Sequence, residues 1–138
     1  MAIETVAILM PGDMGHGCAI VFREHGLRVI TDLSGRSERT AGLAEKAGLD
    51  DVGSLVEVAR QADLILSILP PERALAQAEA VGAAMSEAGA APPYADCNAV
   101  SATTSRRIGT VIGAAGALYI DAGICLLYTS DAADDVVG

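Results

Sequence analysis

The 138-residue sequence predicts a single α/β domain, a doubly wound and mainly parallel sheet flanked by helices, on three observations. Short β-branched apolar runs alternate with stretches of helical spacing, the order that produces a parallel sheet with helical crossovers. The hydrophobic fraction is 51% but the aromatics are only three Tyr and one Phe, so Ala, Val, Ile and Leu must build the core, as in sheets buried on both faces. A chain of this length holds one compact core, burying roughly two thirds of its unfolded surface, with no room for a second domain.

The elements follow in order. Thr5 to Leu9 (TVAIL) is short, apolar and bounded by Pro11 and Gly12, which predicts the first strand. From Asp13 to His25 the apolar residues Met14, Cys18, Ile20, Val21 and Phe22 recur near helical spacing, and Gly26 stops the helix. Leu27 to Thr31 is a second strand, and the Asp, Ser and Gly of DLSGRS make a loop. Ser34 or Ser37 caps a helix to about Ala47, ended by Gly48, and Ser54 caps another to Gln61. Asp63 to Leu69 (DLILSIL) is the clearest strand signal, closed by Pro70 and Pro71. An alanine-rich helix runs from about Glu72 to Ala88, a short strand covers Tyr94 to Asp96, Ser101 caps a helix to about Ala115, and Ala117 to Asp121 is a fifth strand.

Charge and cysteines exclude several classes. Nine basic residues against eighteen acidic give a net charge of −9, which disfavours nucleic acid and anionic membranes as partners. Cys18, Cys97 and Cys125 are odd in number, far apart and without CxxC spacing, so they predict buried thiols in a reducing compartment, not a disulfide framework or zinc site. No apolar run reaches the roughly 18 residues of a membrane span, and the N-terminus lacks a basic leader region, so the expected location is the cytoplasm.

The turn after the first strand carries the chemistry. A strand leading through glycine into a helix forms an anion site, because the first helical N–H groups and the positive end of the helix dipole face the ligand. Against the dinucleotide pattern G-x-G-x-x-G, Met10-Pro11-Gly12-Asp13-Met14-Gly15 keeps the second and third glycines and replaces the first by Met10. Gly12 lets the backbone approach a pyrophosphate, and Gly15 lets helix and strand pack closely; Asp13 must point outward to avoid repelling phosphate. At the end of the second strand an acid selects the ribose hydroxyl of NAD and arginine the 2′-phosphate of NADP. Asp32 stands there, followed by Ser34, Arg36, Ser37 and Arg39, a phosphate clamp in an acidic chain; NADP is therefore the expected cofactor, with NAD as the alternative.

In this order, VAILMPGDMGHG, GLRVITDLSGRSERT, ADLILSILPP and ADCNAVSATTSRRI resemble the N-terminal cofactor domain of the 6-phosphogluconate dehydrogenase and 3-hydroxyisobutyrate dehydrogenase superfamily, the β-hydroxyacid dehydrogenases, from about Ile3 to Ile124. The resemblance implies a Rossmann fold in which Pro11, Gly12, Asp13, Met14 and Gly15 bind pyrophosphate. It places Arg36 and Ser37 at the adenosine ribose or its phosphate, and Leu69, Pro70 and Pro71 against the nicotinamide ribose. Asn98 occupies the serine position of the family's D-x-S segment and would orient the substrate, with Ser101 as a second contact or merely the helix cap. The family's first turn glycine is Met10 here.

After YIDAGI the family continues into a substrate loop, a helix with a catalytic lysine, and a helical C-terminal domain that commonly forms the dimer. CLLYTSDAADDVVG aligns with none of these, so residues 1–124 are expected to be the cofactor domain, residues 125–138 a non-native or irregular tail, and the C-terminal domain absent. Lys46, the only lysine, is remote from the expected nicotinamide, and neither His16 nor His25 has a nucleophile nearby in sequence, so no catalytic residue or metal ligand is assigned. The expected parent is a homodimeric NAD(P)-dependent dehydrogenase or reductase of a hydroxyacid or related small carbonyl compound, the present chain alone being inactive. A dinucleotide-binding module without chemistry and a Rossmann-like S-adenosylmethionine methyltransferase are the alternatives; Asp32 suits the latter, but Arg36 and Arg39 have no task in it.

Overall fold

The computed structural model describes residues 3–9, 13–32, 48–68, 71–98 and 100–122, with backbone alone for residues 13–16 and 71. Strands β1 (Thr5–Leu9), β2 (Arg28–Thr31), β3 (Asp50–Asp51), β4 (Leu64–Ser67), β5 (Tyr94–Asp96) and β6 (Tyr119–Asp121) form one sheet in the order β3-β2-β1-β4-β5-β6. Every pairing is parallel. Helices α1 (Asp13–Glu24), α2 (Leu55–Gln61), α3 (Ala74–Ala88) and α4 (Ala102–Ala114) cover it. This is the doubly wound Rossmann-type sheet that the alternating pattern predicts.

Side chains alternate between two apolar layers because strand residues point to opposite faces. Ala7, Leu9, Ile30, Ile65 and Tyr94 pack on one side with Val58 of α2, Ala78, Val81 and Met85 of α3, and Ile108 and Ile112 of α4. Val6, Ile8, Val29, Leu66, Ala95 and Cys97 pack on the other with Ala19, Cys18 and Phe22 of α1. Small residues bring α3 and α4 together: a Cβ on Gly82 would stand 3.3 Å from Val111 Cγ1.

Local signals set the element ends. Ser54 caps α2 by accepting the Glu57 N–H at 3.2 Å, as its position predicts. Gly89 closes α3 in the left-handed region, at φ 68°, with its N–H returning to Met85 O.

Four expectations need correction, besides changes of one residue at some ends. Among the described residues six strands form, not five: β3 consists of two exposed acids paired with Ile30 and Thr31. No apolar pattern marks it, because the backbone and an Arg28 Nε to Asp50 Oδ2 contact of 3.0 Å hold this edge. The expected strand 63–69 is shorter, because Asp63 turns its carboxylate back onto β1 and pairing ends at Ser67. The helix expected from Glu72 begins as a 3₁₀ turn, Pro71–Arg73, and becomes α-helical at Ala74. The last strand starts at Tyr119, since Ala117 N–H still bonds to Ile112 O at the end of α4. The helix expected up to Ala47 and the tail 125–138, with Cys125, lie outside the described residues.

Asp63 supplies a pH-dependent tie. Its Oδ2 accepts the backbone N–H groups of Glu4 at 2.9 Å and Thr5 at 3.0 Å, joining the entries of β4 and β1. These donors, Glu4 first, hold the carboxyl below its ordinary range. The stability this tie supplies is therefore present above the unfolded carboxylate pKa and is lost as pH falls through the lower native value. Asp63→Ala should lower the urea midpoint at pH 7, and its difference from the parent should shrink on acidification; a difference independent of pH would contradict the tie.

Candidate functional site

In a doubly wound sheet the ligand crevice opens outside the carboxyl ends of the strands, where the chain order reverses. Here the reversal lies between β1 and β4, which pair side by side with Leu9 opposite Ser67. Helix α1 starts at Asp13, four positions after the last residue of β1, Leu9, so its first backbone N–H groups stand at this edge. Asp13, Met14 and Gly15 form the first turn of α1. Met10, Pro11 and Gly12 lie outside the described residues.

On the β2 side, Thr31 is fully buried, and its Oγ1 has no hydrogen-bond partner among the described residues. Asp32 follows it, half-buried. Ser34, Arg36, Ser37 and Arg39, the expected phosphate clamp, lie outside the described residues, as does Lys46. Leu69 and Pro70 do too, whereas Pro71 opens the 3₁₀ turn before α3.

On the β4 and β5 side the structure joins residues that the sequence left separate. Ser67 and Asp96 are fully buried and Asn98 is 5% exposed. Asn98 N–H donates to Asp96 Oδ1 at 2.8 Å, and Asn98 Nδ2 donates to Ser67 Oγ at 3.3 Å. The amide thus bridges from β5 to β4 at the crevice edge. Next to it Tyr119 and Ser105 share a hydroxyl contact of 2.8 Å. Ser101 is exposed and caps α4, accepting the Thr104 N–H at 3.1 Å and donating to Thr104 Oγ1 at 3.1 Å.

Burial governs the electrostatics. It raises the Asp96 carboxyl above its ordinary value, and the in-register Asp121 adds to the rise, against the Asn98 N–H, which opposes it. Burial likewise raises the Tyr94 and Tyr119 hydroxyls, and it pushes the Cys97 thiol up to about 11, which leaves it protonated and unreactive at neutral pH.

The sequence singled out Asn98 and Ser101 but missed Ser67, Asp96 and the Ser105–Tyr119 pair. Ser67 was detectable as the one polar residue inside LILSIL; the last pair required the fold, because α4 intervenes. Among the described residues no three His, Cys, Asp or Glu side chains gather as a metal site, and no helix is long and apolar enough to cross a membrane. A cavity of about 360 Å³ bordered by Arg23, Arg28 and Asp50 lies at the amino ends of β2 and β3, away from the crevice.

These features fit a dinucleotide: a helix N-terminus stands at the reversal point, and two buried polar atoms without a hydrogen-bond partner among the described residues, Thr31 Oγ1 and Asp96 Oδ2, stand at strand ends on either side of it.

Known structures agree with the fold. A conserved protein of unknown function, described as structurally similar to 3-hydroxyacid dehydrogenases, is 27% identical, with a TM-score of 0.70, over 78% of this chain and 39% of its own. The 3-hydroxyisobutyrate dehydrogenase of Mycobacterium tuberculosis, solved with L-serine, is 23% identical over 86% of this chain and 39% of its own, TM-score 0.70. An imine reductase of Streptomyces aurantiacus is 16% identical over 84% and 39%, TM-score 0.70. The chain thus spans about two fifths of the length of the structures it matches. The expected likeness to cofactor domains of 3-hydroxyacid dehydrogenase type holds, and these matches do not favour the methyltransferase or the module without chemistry. The acetohydroxy acid isomeroreductase NADPH-binding domain model matches residues 1–95, so the chain belongs to that family of NADPH-binding domains.

Proposed function

We propose that this chain is the NADPH-binding part of a longer, homodimeric cytoplasmic dehydrogenase or reductase acting on a hydroxyacid or related small carbonyl compound. The family match over residues 1–95, on a sheet whose order reverses beside the α1 N-terminus, carries the proposal. The two-fifths coverage of solved relatives supports a longer parent. So do Leu118 and Ile120 at the sheet edge, 65% and 38% exposed, apolar surface that further chain would cover.

In this proposal the turn Pro11, Gly12, Asp13, Met14 and Gly15 holds the pyrophosphate, Gly12 to Gly15 donating backbone N–H groups and Pro11, which has none, shaping the turn, and Ser34, Arg36, Ser37 and Arg39 clamp the 2′-phosphate. Leu69, Pro70 and Pro71 border the nicotinamide ribose; Asn98 and Ser101 meet the substrate. The nicotinamide, when bound, gives or takes the hydride. This chain's residues bind and orient, and the proton is moved by a group of the longer parent. No metal takes part in the proposed site.

The test is titration of the full chain with NADPH and with NADH, following the cofactor's own fluorescence because the chain has no Trp. NADPH should bind more tightly, and Arg36→Ala should weaken it by about 10- to 100-fold while leaving NADH unchanged, as loss of a charge-assisted phosphate contact does. Equal affinity for both cofactors, unchanged by Arg36→Ala, would refute the clamp.

A further inference from the structure

We propose that Asp96 is a proton-dependent positioning residue that holds the Asn98 carboxamide in place across the ends of β4 and β5. Three observations carry it. Asp96 Oδ1 accepts the Asn98 backbone N–H at 2.8 Å, which closes a tight turn just past β5. The Asn98 side chain leaves that turn toward β4 and donates to Ser67 Oγ at 3.3 Å. The other Asp96 oxygen, Oδ2, is buried with no hydrogen-bond partner among the described residues, although the residue is 0% exposed.

A carboxylate removed from water with one oxygen unmatched is costly, and taking up a proton relieves that cost. Protonation also weakens the remaining contact, because a hydrogen bond to an ionised acceptor is roughly twice as strong as one between neutral groups. Asn98 is therefore held loosely when Asp96 is neutral and firmly when it is ionised. Among the described residues, the titratable groups facing Asp96 are Asp121 and Tyr119 from β6, with Tyr94 and Cys97 from its own strand segment. Ser67 of β4, in register with Asp96, contributes a hydroxyl only. Asp121, aligned in register, is thus the carboxylate able to shift the transition.

The decisive measurement is a pH titration of the isotope-labelled full chain by NMR, following the Asp96 carboxyl carbon and the Asn98 side-chain amide. Both signals should move together through one transition in the parent. Asp96→Asn should abolish that movement while the Asn98 amide stays dispersed, and Asp121→Asn should keep it but displace it to lower pH. An Asn98 amide that stays fixed while Asp96 titrates, or that still moves in Asp96→Asn, overturns the proposal.

The functional importance of the hold rests on the NADPH reading, so affinity is measured separately. Absence of NADPH binding in every form, with the amide still tracking Asp96, would defeat the cofactor reading and uphold the positioning role. Normal binding with an unresponsive amide would do the reverse.

Discussion

Ile65→Ala is expected to remove about 2–5 kcal/mol of stability, the range for truncating a large aliphatic side chain in a packed core. Ile65 is 0% exposed on β4, between Ala7 of β1 and Tyr94 of β5, each also 0% exposed and in register with it. Backbone on both sides restrains collapse around the lost methyl groups, so the cavity term persists. Domains have about 5–15 kcal/mol in total, so this one change consumes a large share. Urea unfolding followed by far-ultraviolet circular dichroism measures it: the midpoint should fall with the slope unchanged. A loss of only about 1 kcal/mol, typical of Ile→Val, would mean that β4 is not held between β1 and β5.

Two glycines of α4 should respond in opposite directions. A Cβ on Gly109 would lie 3.0 Å from Tyr119 Cδ2, so Gly109→Leu must displace the ring and with it the Ser105–Tyr119 contact. Overpacking of this kind costs about 1–3 kcal/mol and outweighs the gain in helix propensity. Gly113 is exposed, with nothing within 4 Å of its added Cβ, so Gly113→Ala should stabilise by up to about 1 kcal/mol. Measured side by side in urea, the pair tests the α4–β6 packing; stabilisation by both would show that Tyr119 does not lean on Gly109.

The fold was legible in the buried strands β1 and β5. TVAIL matches β1 residue for residue, because a strand covered on both faces is a near-continuous apolar run between turn residues, and YAD matches β5 although it ends on the buried Asp96. The serines before α2 and α4 were legible because a cap is a local hydrogen bond within three residues. The edge strand Asp50–Asp51 was not: two exposed acids carry no burial signal, and only the neighbouring β2 backbone makes them a strand.

The candidate site divides along the same line. The start of α1 soon after β1 follows from a short motif, since the two elements are only a few residues apart in the chain. The union of Ser67 with Asn98, 31 positions apart, does not. It arises because β4 and β5 lie in register, and nothing in either segment alone specifies that register.

By itself, then, the sequence determined the order of the described elements apart from β3, the caps of α2 and α4 and the start of α1 a few residues after β1, because these depend on burial patterns and contacts a few residues long. Only the tertiary structure decided the sixth strand, the seating of Tyr119 against Gly109 and the burial of Asp96 with one oxygen unmatched. Each of these depends on which strands stand side by side, and that is set by packing summed over the whole sheet.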